Sequence, residues 1–226
     1  MNLSIIIPAF NEEGTIRKTL QQAILTTSAD EVIVVDGGSR DATREVAKGL
    51  VSQLIESPQG RALQMNAGAK AAHGDVLLFL HADTILPLET KEVILAAFSD
   101  PQVVGGWFGI HLDRSGWLYG LVAFLVSLRS RLTKIATGDQ AIFVRREVFE
   151  RLGGFSEIPL MEDVEFSRRL KRLGKIACLH QKVVTSARRW ERHGPIKTIL
   201  LMWRLRFLYF MGVSPDRLRN HYADVR

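Results

Sequence analysis

Apolar positions in the first hundred residues fall into short unbroken runs separated by stretches with helical spacing. Residues 3–8 form a continuous, isoleucine-rich run of the kind that fills a buried parallel strand. In residues 15–25, Ile16, Leu20, Ala23 and Ile24 recur at helical intervals, which predicts a helix packed on that strand. The alternation continues with strands over 31–35, 53–56 and 75–80 and helices over 41–50, 60–73 and 88–98. Strand and helix in turn, at these lengths, predict an open α/β sheet that is mostly parallel, with helices on both faces.

The second half is less regular. Strands are expected over 103–110, 141–144 and 176–179, and an amphipathic helix over 164–173, just after Glu162 and Asp163. Residues 117–128 are strongly apolar, but about 12 residues fall short of the roughly 20 that a spanning helix needs. A core helix or a shallow membrane-facing segment is expected there. Pro195 opens a last helix running to about residue 211, since proline suits a first turn.

Composition narrows the class. With 226 residues and 46% apolar content, the chain can bury a core as one domain with an appendage. The division expected is 1–190 as the α/β domain and 191–226 as a basic, amphipathic helical tail. The +6 charge comes wholly from the end: residues 186–226 hold 9 Lys/Arg against 3 Asp/Glu, whereas residues 1–185 balance at 21 each. Such a tail suits an anionic substrate or membrane surface. Nucleic acid is not expected, since no recognised module accompanies the charge. The single cysteine, Cys178, excludes an intrachain disulfide, and the N-terminus does not read as a leader. A cytoplasmic protein, free or peripheral on the inner face of the membrane, is the expectation.

Polar residues gather where such sheets bind ligands, beyond the carboxyl ends of the strands. Asp36 follows the second strand and precedes two glycines, which let a backbone approach a ligand. His81-Ala82-Asp83 closes the fourth apolar strand; the Asp83 oxygens suit Mg²⁺ or Mn²⁺, completed by substrate phosphates, and His81 is a candidate second ligand or phosphate donor. Glu162 and Asp163 sit at a helix start, where acids also serve as caps. Neither a Walker A loop nor a dinucleotide fingerprint is present.

In order and approximate spacing, Ser4–Glu13 (SIIIPAFNEE), Val35–Ser39 (VDGGS), the Asp83 loop and Met161–Asp163 (MED) resemble family 2 glycosyltransferases of the GT-A fold over about residues 1–190. Gly60–Gly68 with His81–Asp83 is similar to the subgroup associated with arsenosugar biosynthesis. The resemblance implies a nucleotide-sugar donor, with Pro8, Ala9 and Glu12 lining its pocket, Asp36 holding the uracil or guanine base and Arg61 near the base or diphosphate. It further implies that Asp83 binds a Mn²⁺ or Mg²⁺ ion bridging the phosphates. Asp163, with Glu162 beside it, becomes the general base of an inverting displacement on an acceptor hydroxyl, small or lipid-linked. The first acid of the usual Asp-x-Asp is His81 here, which leaves fewer carboxylates for metal; His193 is a candidate late ligand. Arg188-Arg189-Trp190 resembles the Arg-Trp element of processive synthases, so Arg189 and Trp190 are assigned to donor phosphates and sugar, without the preceding glutamine that processivity would need. Two other classes remain open: a nucleotidyltransferase, and a non-catalytic membrane-associated scaffold.

Overall fold

The computed structural model describes residues 1–27 and 29–223, the side chains of residues 26, 189, 192, 193, 196 and 220–223 excepted. The donor role expected of the Arg189 side chain and the metal role expected of His193 therefore lie outside the described residues.

The first half alternates as its pattern predicts. β1 (Leu3–Ala9), α1 (Ile16–Thr26), β2 (Glu31–Asp36), α2 (Thr43–Ala47), β3 (Gln53–Glu56), α3 (Arg61–Ala71) and β4 (Val76–Phe79) follow one another, then a two-residue β5 (Thr84–Ile85) and α4 (Thr90–Ala97). β3, β2, β1 and β4 pair in parallel in that order. The rest comprises β6 (Val103–Leu112), α5 (Trp117–Thr133), β7 (Ile142–Arg145), α6 (Arg146–Arg151), α7 (Glu162–Leu170), β8 (Lys175–Thr185), α8 (Arg188–His193), α9 (Pro195–Phe210) and α10 (Pro215–Ala223). β7 enters antiparallel between β4 and β6, β8 runs parallel to β6, and β5 closes the edge against β8.

Strand alternation divides the core between the two sheet faces. Ile5 and Ile7 join one apolar cluster with Ile16, Leu20 and Ile94, while Ile6 joins another with Met65, Phe149 and Phe166. All seven residues of β1 are buried, and each such isoleucine contributes about 1.5–3 kcal/mol by leaving water. α3 lies unusually close to the sheet: a Cβ at Gly68 would stand 2.4 Å from Cγ2 of Ile6 and 2.9 Å from Cγ2 of Val35. Only a residue without a side chain fits there.

Two elements run well past their predicted ends. α5 continues to Thr133 rather than stopping near residue 128, because Arg129 and Arg131 break the apolar run without breaking the helix. β8 reaches Thr185 because it pairs with β6 along its length. α9 and α10 rest on the start of α7, with Leu205 and Leu218 buried against Ile135, Met161 and Val164. α5, α8 and α9 converge where Val122, Ala187, Trp190 and Ile199 pack together.

Candidate active site

A single cleft of about 860 Å³ collects most of the residues expected to act. Pro8, Ala9 and Glu12 line it from the β1 end, Arg61 from α3, His81 and Asp83 from the β4 end, Glu162 and Asp163 from α7, and Trp190 from α8. Asp36 does not line it.

The β1 and β2 loops are stitched together. Gly37 N donates to Ala9 O at 2.9 Å, Asn11 N to Ser39 Oγ at 2.9 Å, and Glu12 N to Thr43 Oγ1 at 2.7 Å. From α3, the buried Gln64 amide donates to both Ala9 O and Val35 O at 2.8 Å, clasping the ends of both strands. Asp36 is fully buried; its Oδ2 accepts from Gly38 N at 3.0 Å and Ser39 N at 2.9 Å. Its Oδ1 is buried with no partner among the described residues. An acceptor left this way is costly unless something donates to it.

At the centre, Arg61 joins two walls. Its Nη2 donates to Nδ1 of His81 at 3.0 Å, and its Nη1 stands 4.0 Å from Oε1 of the buried Glu162. Since a guanidinium only donates, His81 accepts at Nδ1 and the neutral ring carries its proton on Nε2. In that state neither ring nitrogen offers a lone pair to a metal. Nε2 faces the Thr137–Gln140 loop, where a Cβ at Gly138 would meet it at 2.5 Å.

That loop is fixed by Gln140, which is fully buried and donates to Phe108 O at 3.0 Å and Ser130 Oγ at 2.9 Å. Gly138 N in turn donates to Oδ2 of Asp163 at 2.7 Å, and Val164 N to Oδ1 at 2.7 Å. Met161, left-handed at φ 69°, turns the chain into α7, so both acids enter its first turn, where the helix dipole favours negative charge. The Asp163 carboxylate is thereby oriented by backbone groups.

Arg188 was not among the residues assigned a role from sequence, yet it bridges two that were. Its Nη2 lies 2.9 Å from Oε2 of Glu12 and 3.1 Å from Oδ2 of Asp83. Burial works against its charge, but the hydrogen bonds to Glu12 and Asp83 outweigh this and raise its pKa above the ordinary arginine value. Its neighbours in sequence gave a hint, in the Arg-Arg-Trp run, but its partners are 176 and 105 residues away. Two further arginines went unassigned. Arg129 of α5 and Arg206 of α9 both line the cleft. The signal available was a lone cation on an otherwise apolar helix face.

For a divalent ion, the chemistry of the donor set fits in part. Among the described residues no group of three or more His, Cys, Asp and Glu could hold a metal. Asp83 and Glu12 nevertheless present two carboxylates that already share one cation, a number suited to an ion completed by substrate phosphates.

Residues 4–153 match the model of glycosyl transferase family 2. The chain belongs to that family. Among family members, the probable glycosyltransferase YdaM of Bacillus subtilis is 28% identical over 93% of this chain. The glycosyltransferase AglE of Haloferax volcanii is 35% identical over 68% of it. The chain spans 54% and 55% of the lengths of those two relatives. In three dimensions it resembles S. aureus TarS in complex with UDP-GlcNAc (TM-score 0.66, 20% identity, 82% of this chain and 58% of that one). It also resembles the mannosyltransferase PcManGT of Pyrobaculum calidifontis in complex with GDP-Man and Mn²⁺ (TM-score 0.65, 20% identity, 95% and 66%). The chain thus combines membership of glycosyl transferase family 2 with a GT-A fold and the mostly parallel sheet expected of it. None of the relatives named bears on the narrower arsenosugar subgroup. No helix among the described residues is long and apolar enough to cross a membrane.

Proposed function

We propose that the protein transfers a sugar from a UDP- or GDP-sugar to an acceptor hydroxyl, with inversion at the sugar carbon. The observation that carries this reading is the convergence of Asp83, Arg61, Glu162 and Asp163 with the β1 loop on one cleft, behind which the buried Asp36 keeps an unpaired acceptor. Pro8, Ala9 and Glu12 line the nucleotide side, and Asp36 Oδ1 accepts from the base once the loop over it adjusts. Arg61 reaches the diphosphate. Asp163, its carboxylate oriented by Gly138 N and Val164 N, removes the acceptor proton as the new bond forms. Glu162 positions Arg61. Trp190, half-buried at the cleft, offers a face to the sugar.

A bound Mn²⁺ or Mg²⁺ would be held by Asp83 with Glu12 beside it, and would supply positive charge for the diphosphate leaving group. Arg188 holds both carboxylates until then. Residues 1–190 serve as the transferase unit and 191–226 as a basic appendage that borders the acceptor side.

Calorimetric titration with UDP, GDP and CDP, each with and without Mn²⁺, tests the reading. Metal-dependent binding of UDP or GDP is expected. Absence of binding by all three would overturn it.

A further inference from the structure

Two guanidinium groups in the cleft make no ion pair among the described residues. Nε and Nη2 of Arg129 and Nε of Arg206 are buried and lack hydrogen-bond partners among the described residues. Burial lowers the Arg129 pKa to about 10, and Arg206 adds to the effect, so the two cations sit close enough to repel. Asp139, whose buried Oδ1 is likewise unpartnered among the described residues, and Asp163 oppose the shift through space, yet neither makes a hydrogen bond or ion pair with Arg129 among those residues. Like charges brought together with unfilled donors are costly in a low-dielectric cleft, and an anion between them removes both costs at once. Bidentate binding of phosphate is what a guanidinium fork favours.

The surroundings restrict what carries that anion. Arg129 shares its helix face with Val122, Leu125 and Leu132, at spacings of seven, four and three residues. Arg206 shares its own with Ile199, Met202 and Trp203. The apolar surface does not end at the cleft: Phe124, Leu128 and Leu132 on α5, and Trp203, Phe207 and Phe210 on α9, are exposed to between 39% and 76%. A patch of that kind, continuous with a ligand cleft, marks a place where an apolar group binds.

We propose that Arg129 and Arg206 form the phosphate subsite for the acceptor, and that the acceptor is a lipid phosphate whose hydrocarbon chain lies along α5 and α9. This rests on the glycosyl-transfer reading, with the phosphate held beside Asp163 so that a hydroxyl on the same head group reaches the base. The two arginines belong to the acceptor and not to the donor.

The test is fluorescence titration of the full chain, saturated with UDP and Mn²⁺, with dodecyl phosphate, dodecyl maltoside and inorganic phosphate. Trp190 and Trp203 at the cleft report binding. Dodecyl phosphate is expected to bind at least tenfold more tightly than either of the others. Arg129→Gln and Arg206→Gln are each expected to lose at least tenfold for dodecyl phosphate while their UDP affinity stays within twofold of wild type. Arg129→Lys, which keeps charge without the fork, is expected to lose less. Thermal melts check folding, and removal of an unpaired buried cation is expected to leave the midpoint unchanged or higher. Equal loss of UDP affinity in the variants would overturn the proposal, because the arginines would then grip the donor. Equally tight binding of dodecyl maltoside would overturn the phosphate subsite, and equally tight binding of inorganic phosphate would overturn the lipid. Failure of the wild type to bind UDP or GDP at all is a separate result, and falls on the glycosyl-transfer reading itself.

Discussion

Gly138 sets the spacing at the centre of the cleft, and replacing it with alanine tests that spacing without any ligand. Its backbone is not left-handed, so the cost of a methyl group comes from contact alone. The new Cβ would stand 2.5 Å from Nε2 and 3.1 Å from Cε1 of His81. Ordinary contact needs about 3.5–4.0 Å, so the ring must move by roughly 1 Å. It is tethered by Arg61 at Nδ1, and that guanidinium is itself drawn toward Glu162. Overpacking of this kind costs about 1–3 kcal/mol. Taking about 2 kcal/mol, and about 2–4 °C per kcal/mol in a chain of this size, Gly138→Ala should melt about 4–8 °C lower. In a His81→Ala background the clash has no partner, so a double-mutant cycle by urea unfolding should give a coupling of about 1–2 kcal/mol. A single-mutant loss under about 0.5 kcal/mol, or the same loss with and without His81, would refute the packing described.

Other outcomes follow from the same geometry. Asp163→Asn should slow sugar transfer at least about a hundredfold while nucleotide affinity stays within about threefold; transfer at the wild-type rate would remove Asp163 as the base. The same change turns an amide N–H toward Gly138 N or Val164 N, so a stability loss of about 1–2 kcal/mol should accompany it in denaturant titration. Asp83→Ala should abolish the Mn²⁺ dependence of UDP or GDP binding measured by calorimetry, and an unchanged dependence would count against Asp83 as ligand. Glu31 reports on acid stability: burial pushes its carboxyl up, but hydrogen bonds from His73 and Ser4 outweigh this and hold it below the ordinary 4.5. A depressed carboxyl stabilises the fold above pH 4.5 and loses that contribution as pH falls below it. The urea midpoints of wild type and Glu31→Gln should therefore converge between about pH 5 and 3; a constant gap would exclude this role.

The apolar runs of β1, β2 and β4 were legible because a strand buried on both faces leaves an unbroken apolar signature, and the acids at the strand ends then mark the ligand side. Asp83 was singled out that way and Asp163 by its place at a helix start and the resemblance of residues 161–163, and the structure brings both to one cleft. Asp36 was singled out too, but its burial was not foreseeable, because it depends on Gln64 and the 37–39 turn closing over the strand ends. The antiparallel insertion of β7 was hidden for another reason. Four apolar residues look alike in either direction, and only the pairing with β4 and β6 decides. Arg188, Arg129 and Arg206 were assigned no role because the groups they face lie on distant elements. Their type was visible, but their convergence is a property of how α5, α8 and α9 pack.

The Arg188 bridge also governs how the cleft responds to its medium. A divalent ion held by Glu12 and Asp83 would take the place of a guanidinium and would not add to a bare acidic pair. The process would be an exchange in which a divalent ion replaces a single positive charge, so that the charge at the pair changes by one unit instead of two. Its equilibrium should therefore depend only shallowly on ionic strength, whereas an open pair of carboxylates would attract cations far more strongly in dilute than in physiological salt.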